Sequence, residues 1–167
     1  MQMINISKRL DKSALIKISD QLVLPFDLRQ RSRLRVSLVS GREAALLLDR
    51  GTILRGGDLL ETEHGQVVEI VAANQAVTDV TAKTPQALMC AAYHLGNRHV
   101  PLQVGDGWLR LEQDHVLNEM LLGLGMTTID QNAPFEPEAG AYGGGHRHAG
   151  DDDNYQRLPS KRLKAHA

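Results

Sequence analysis

The sequence predicts two domains in series: an all-β N-terminal domain over residues 1–74, then an α+β ferredoxin-like domain of order βαββαβ over 75–143. A flexible tail, 144–167, completes the 167-residue chain. Three observations predict this. Short β-branched or alternating runs, separated by glycine turns, fill the first part. From about Gln75 the pattern becomes strand, helix, strand, strand, helix, strand. After Phe135 large apolar residues nearly vanish while GGG and DDD appear, a composition that cannot offset its ordering entropy.

In the front domain, MINIS and ALIKI are brief strand-forming runs. RLRVSLVS alternates charged or polar residues with apolar ones at period two, as a half-buried strand does. Gly41 turns the chain into EAALLLD. Alanine and leucine favour helix there, but the short length and glycine borders favour strand. DRG turns again into TIL, and LRGGDLL and EHGQ precede VVEIVAA. Six or seven strands with turn signals this close suggest a small sandwich or barrel.

In the second domain, AVTDVTA is a strand with Val77, Asp79 and Thr81 on one face and Thr78, Val80 and Ala82 on the other. Thr84 followed by Pro85 starts a helix, a hydroxyl cap before proline at the first helical position. Leu88, Ala91, Ala92 and Leu95 recur at helical spacing, and Gly96 supplies the expected left-handed stop. VPLQV is a short strand, with Pro101 suited to a strand edge or start. GDG, with Asp106 as a turn residue, leads into WLRLE as a hairpin. Asp114 caps a second helix, HVLNEMLLGL, ending at Gly125, and MTTIDQNAPF closes the sheet.

Composition excludes several classes of function. A formal net charge of -1 and 4% aromatics offer neither an electrostatic footprint for nucleic acid nor base-stacking platforms. No apolar run approaches the roughly 20 residues of a membrane span. The first residues lack a signal-peptide core, so a cytoplasmic protein is expected. The lone Cys90 cannot form an internal disulfide or build a thiolate zinc site; within QALMCAAYH it is expected to be a buried small apolar residue. Neither H-E-x-x-H nor G-x-S-x-G occurs, and no catalytic set emerges. An enzyme is not expected.

Any metal must then rest on nitrogen and oxygen ligands, which directs attention to the seven histidines. His99 follows the helix stop on a connecting loop, where it is available to bind. One imidazole does not hold nickel, zinc or copper. A two-fold dimer would bring two copies of His99 together, or ligands from elsewhere would complete the shell. His94, near the helix C-terminus, sits where the dipole favours imidazolium, and is read as structural. His115 lies in the first turn of the second helix, where the dipole favours the neutral, ligating imidazole, making EQDH an auxiliary candidate. His64 is a turn residue. In the tail, His146 and His148 can reach one ion together, and His166 is isolated.

AAYHLGNRHVPLQV, DHVLNEMLLGLG and APFEPEAGAYGGGHRH, in that order, strongly resemble the urease accessory proteins of the UreE type. LPFDLRQRSRLRVSLVSGREAALLLDRGTILRGGDLL resembles the front domain of the same family. The resemblance implies a homodimeric nickel metallochaperone that delivers Ni²⁺ to apo-urease alongside other urease accessory proteins, including the accessory GTPase. It implies an all-β domain that contacts partners and a ferredoxin-like domain that binds metal. By resemblance, the histidine closing HLGNRH is the nickel ligand shared across the dimer axis, here His99. Two departures matter. Gln113 stands where some members carry a second histidine before the one matching His115, which weakens an auxiliary site. The tail offers His146, His148 and His166 rather than a long histidine run, so few ions per dimer are expected. Zn²⁺ or Cu²⁺ would compete, and the rival reading is a general divalent-metal buffer with no delivery role.

Overall fold

The computed structural model describes residues 3–11 and 16–139. Its front part is one six-stranded sheet. β1 (Ile4–Leu10), β2 (Asp20–Leu24), the short helix α1 (Phe26–Arg29), β3 (Arg33–Ser37), β4 (Glu43–Leu47), β5 (Leu59–Thr62) and β6 (Val67–Ala72) follow in chain order. The strands lie in the order β2-β6-β5-β1-β4-β3. Alternation sorts the side chains: in β2, Asp20, Leu22 and Leu24 turn inward while Gln21 and Val23 face out. Ile6, Leu22, Leu46, Leu60, Val68 and Ile70 form the enclosed core.

Asp20 ties the two sheet edges together at one end. Its carboxylate accepts from the Gln21 and Ser40 backbone N–H groups, the Ser40 hydroxyl and the Arg42 guanidinium. Val39 N–H donates to Gln21 O at 2.9 Å, joining the chain beyond β3 to β2.

Within this region EAALL is strand, as its glycine borders predicted. Two expectations are corrected. Among the described part of ALIKI, residues 16–18 form no strand, and neither does TIL. The strand lies just downstream in DQLVL, followed by a turn of helix that its short FDLR run did not announce.

The second part is the expected βαββαβ unit. β7 (Asn74–Thr81), α2 (Pro85–Asn97), β8 (Gln103–Gly105), β9 (Trp108–Glu112), α3 (His115–Gly123) and β10 (Thr127–Pro134) build a four-stranded antiparallel sheet in the order β10-β7-β9-β8. Thr84 caps α2 by accepting from Ala87 N–H, with Pro85 at the first helical position. Asp114 caps α3, accepting from Val116 and Leu117 N–H at 2.9 Å each. Ala91, Leu95 and Leu121 from the helices pack on Val80, Leu109 and Leu111 of the sheet. In the β8–β9 hairpin the Trp108 indole lies against Gly105, where a Cβ would come within 2.0 Å of the ring. Only glycine fits beneath it.

Cys90 departs from expectation: it is exposed on α2. Helical spacing puts Ala87, Ala91 and Leu95 on the sheet side, which leaves position 90 on the far side.

The two parts meet on the face of the second sheet opposite the helices. There Val77 and Phe135 pack with Phe26 and Ile53, the two phenylalanine rings edge-to-face with centroids 5.6 Å apart. Arg29 is fully buried beside them. Its guanidinium donates to the carbonyls of Leu24, Leu54 and Phe135 and to Glu136 Oε1 at 2.8 Å. Glu136 also accepts from Gly56 N–H and Arg55. A buried guanidinium is tolerated only when its donors are satisfied in this way.

Candidate metal-binding site

His99 owes its presentation to the way α2 ends. Gly96 was expected to be the left-handed stop; instead it lies within the last helical turn, Arg98 is the C-cap, and His99 takes the left-handed conformation at φ 55°. His99 N–H donates to Gly96 O at 2.9 Å and Val100 N–H to Leu95 O at 3.3 Å, the paired bonds of a Schellman ending. Val100 then packs against the cluster containing Leu95, the apolar contact that accompanies such an ending. The glycine lies three residues too early because Leu95 and Val100 must both reach the core, and that requirement sets where the helix stops.

The end of α3 repeats this geometry with glycine. Gly125, at φ 79°, donates to Leu122 O, and Met126 donates to Leu121 O. His99 is the described residue other than glycine with positive φ. That conformation costs a side-chain-bearing residue about 1 kcal/mol. The imidazole is exposed.

Around it lies a shallow cleft lined by Arg98, His99, Val100, Pro101, Glu112, Gln113, Asp114 and Leu117. An adjoining cleft is lined by Thr78, Gln113, Asp114, His115, Asn118 and Asp130. His99 and His115 therefore flank the same corner, Gln113–Asp114, where β9 passes into α3. Asp114 is committed to capping, and Asp130 accepts from the Thr78 hydroxyl at 2.6 Å. Asn118 Oδ1 is buried in the second cleft without a hydrogen-bond partner among the described residues. The carboxylates Glu112 and Asp130 were not singled out in the sequence, because their proximity to the histidines depends on strand register.

Among the described residues no three His, Cys, Asp or Glu side chains are grouped so as to hold one metal ion. His94 is half-buried, with its ring 5.7 Å from that of Tyr93. His64 lies beside Glu63 in a turn, with 62% of its side chain exposed. His146, His148 and His166 lie outside the described residues.

The front sheet carries none of these histidines except His64. Fold and site together define a two-domain protein: a β domain fastened to a ferredoxin-like domain that displays an imidazole at a helix end. Models of the N-terminal and C-terminal domains of the UreE urease accessory protein match residues 6–73 and 75–165. The chain is 58% identical over 137 residues to urease accessory protein UreE of Cupriavidus necator, an alignment covering 82% of this chain and 71% of that protein. The same-named protein of Ralstonia nicotianae is 56% identical over 139 residues, covering 83% and 66% respectively. That of Nitrosospira multiformis is 54% identical over 136 residues, covering 81% and 77%. This chain belongs to the UreE urease accessory protein family.

No helix among the described residues is long and apolar enough to cross a membrane.

Proposed function

We propose that this protein is a nickel metallochaperone, not an enzyme, that binds Ni²⁺ through His99 in a homodimer and delivers it to apo-urease in the cytoplasm. The observation that carries this is the left-handed backbone at His99. A glycine there would end the helix with less strain, as Gly125 does, so the imidazole is retained at a cost in stability. Functional positions are where such strain concentrates.

A shared site suits the single-chain geometry, in which His99 has, among the described residues, too few ligating neighbours to hold an ion alone. The outer face of α2 supports a two-fold contact. Met89, Cys90 and Tyr93 lie there at helical spacing, with Met89 65% and Tyr93 67% exposed, and this stripe runs toward His99. An isologous interface on it whose two-fold axis passes close to His99 would set two His99 imidazoles face to face. The tail is suitably rooted to add His146 or His148. Glu138 N–H donates to Leu102 O at 2.8 Å, three residues from His99. His146 lies eight positions after Glu138, a span of at most about 29 Å. A tail ligand that leaves readily would lower the coordination number and open a position for transfer. His115 is an auxiliary ligand at most, since its neighbouring carboxylates are already engaged. Residues 1–74 then serve as the partner-binding domain, 75–143 as the metal-binding domain and 144–167 as the ligand-bearing tail, with the accessory GTPase among the partners.

Imidazole ligands bind Cu²⁺ more tightly than Ni²⁺, and Zn²⁺ also competes, so delivery rather than affinity would confer selectivity. A general divalent-metal buffer is the alternative, and it predicts no complex with apo-urease. Calorimetric titration of the metal-free protein with Ni²⁺ tests the proposal, comparing wild type, His99→Ala and a chain ending at Gly145. About one ion per two chains, abolished by His99→Ala, is the expected result. Full binding retained by His99→Ala would overturn it.

A further inference from the structure

We infer that the free edge of β3 is a docking strand for an extended acidic segment of a protein partner. The inference rests on the proposal that the front domain contacts partners, and it names which surface does so and what chemistry that surface accepts.

β3 is the last strand of its sheet, with β4 on one side and, among the described residues, no strand on the other. The ladder to β4 fixes which backbone groups are free. Leu48 N–H donates to Ser32 O at 2.7 Å and Leu38 N–H to Arg42 O at 2.9 Å. Even-numbered residues of this stretch therefore point their amides and carbonyls at β4, and those of Arg33, Arg35 and Ser37 point away. β2 approaches this side only at Val39–Gln21, where Asp20 and Ser40 fasten it. Between Arg33 and Ser37 no described residue pairs its backbone with this edge, the arrangement that accepts an added strand.

Side chains specify the occupant. Arg33 and Arg35 are exposed on the outer face and have no ion pair among the described residues, whereas Arg9, Arg29, Arg42, Arg55 and Arg110 are all paired. Leu47, 44% exposed, is the register partner of Arg33. Val39, 63% exposed, lies two residues beyond β3. An incoming strand with carboxylates on its outward positions would meet two unneutralised guanidiniums. Apolar residues on its alternate positions would lie on the core side of the sheet, beside Val36. The geometry thus fits an alternating acidic–apolar segment.

The probe is a fluorescein-labelled decapeptide of alternating glutamate and valine, titrated by anisotropy into the full-length metal-free protein, with a lysine–valine decapeptide as control. The glutamate peptide is expected to bind, more weakly as salt rises, and the lysine peptide is not. The double variant R33E/R35E should lose about tenfold or more in affinity with its circular dichroism unchanged. Ser37→Pro, which removes an outward N–H and the exposed Ser37–Glu43 side-chain bond but no backbone bond to β4, should also weaken binding. Equal binding of both peptides, or unchanged affinity in R33E/R35E, would overturn the inference. Binding by a chain ending at Gly145 but not by the full chain would mean that the Asp151–Asp153 run already occupies the edge, overturning an external occupant. Pull-down with purified apo-urease separates the two levels. Failure of wild type to capture it counts against partner binding itself. Capture by wild type and R33E/R35E alike overturns only the edge.

Discussion

His99 and Gly125 occupy the same position at the ends of the two long helices, each in the left-handed conformation and each closing a Schellman pair. One position has the residue that conformation prefers, the other an imidazole. Exchanging side chain and stability at these two places separates ligand chemistry from folding. His99→Gly should keep or raise the free energy of unfolding, by up to about 1 kcal/mol, while abolishing nickel binding. Gly125→Ala should lower it by about 1 kcal/mol through backbone strain alone, since a Cβ there meets open space. Urea denaturation of the metal-free proteins measures both. A destabilised His99→Gly would mean that the imidazole serves the fold.

Arg29 should be the most sensitive position at the junction of the two sheets. Arg29→Met strands the carbonyls of Leu24, Leu54 and Phe135 and removes one cation from Glu136. A loss of about 3 kcal/mol is expected, read from the denaturation midpoint. A loss well below 1 kcal/mol would show that water replaces the guanidinium freely.

Asp20 makes stability depend on acid. Burial alone would raise its pKa, but the bonds from Ser40, Arg42 and the Gln21 and Ser40 amides outweigh it and hold the group at about 2, below its ordinary 3.8. Because the folded value is the lower one, the stabilisation is present above pH 3.8 and is lost as pH falls toward 2. Its size is on the order of 2 kcal/mol. In Asp20→Asn that part of the acid dependence should disappear, measured by urea denaturation across the window. An unchanged acid profile would remove Asp20 as its source.

Nickel binding should weaken as pH falls through roughly 6.5, because imidazole must be neutral to ligate. Competition calorimetry between pH 5.5 and 8 follows this; affinity that is flat over that range would exclude histidine as the principal ligand.

Much of the second domain was legible because its signals are local. Thr84–Pro85 and Asp114 cap helices through bonds to residues two or three positions away, and Asp106–Gly107 turns a hairpin within four residues. The described residues 16–18 of ALIKI misled because β-branched composition is a weak guide without a partner strand, whereas DQLVL finds one in β6. Cys90 misled because a small apolar residue type does not by itself determine which way a helix faces.

By itself the sequence determined the βαββαβ order of the second part, the β character of the first, the helix caps and the position of His99 just beyond a helix, all consequences of short-range backbone preference and periodicity. Tertiary structure decided what depends on distant contacts. It placed the left-handed residue at His99 rather than Gly96, because Leu95 and Val100 must both reach the core. It buried Arg29 against Glu136, 107 residues away, and it put β3 at the margin of its sheet. Those outcomes follow from which surfaces find each other on folding, and no local pattern carries that information.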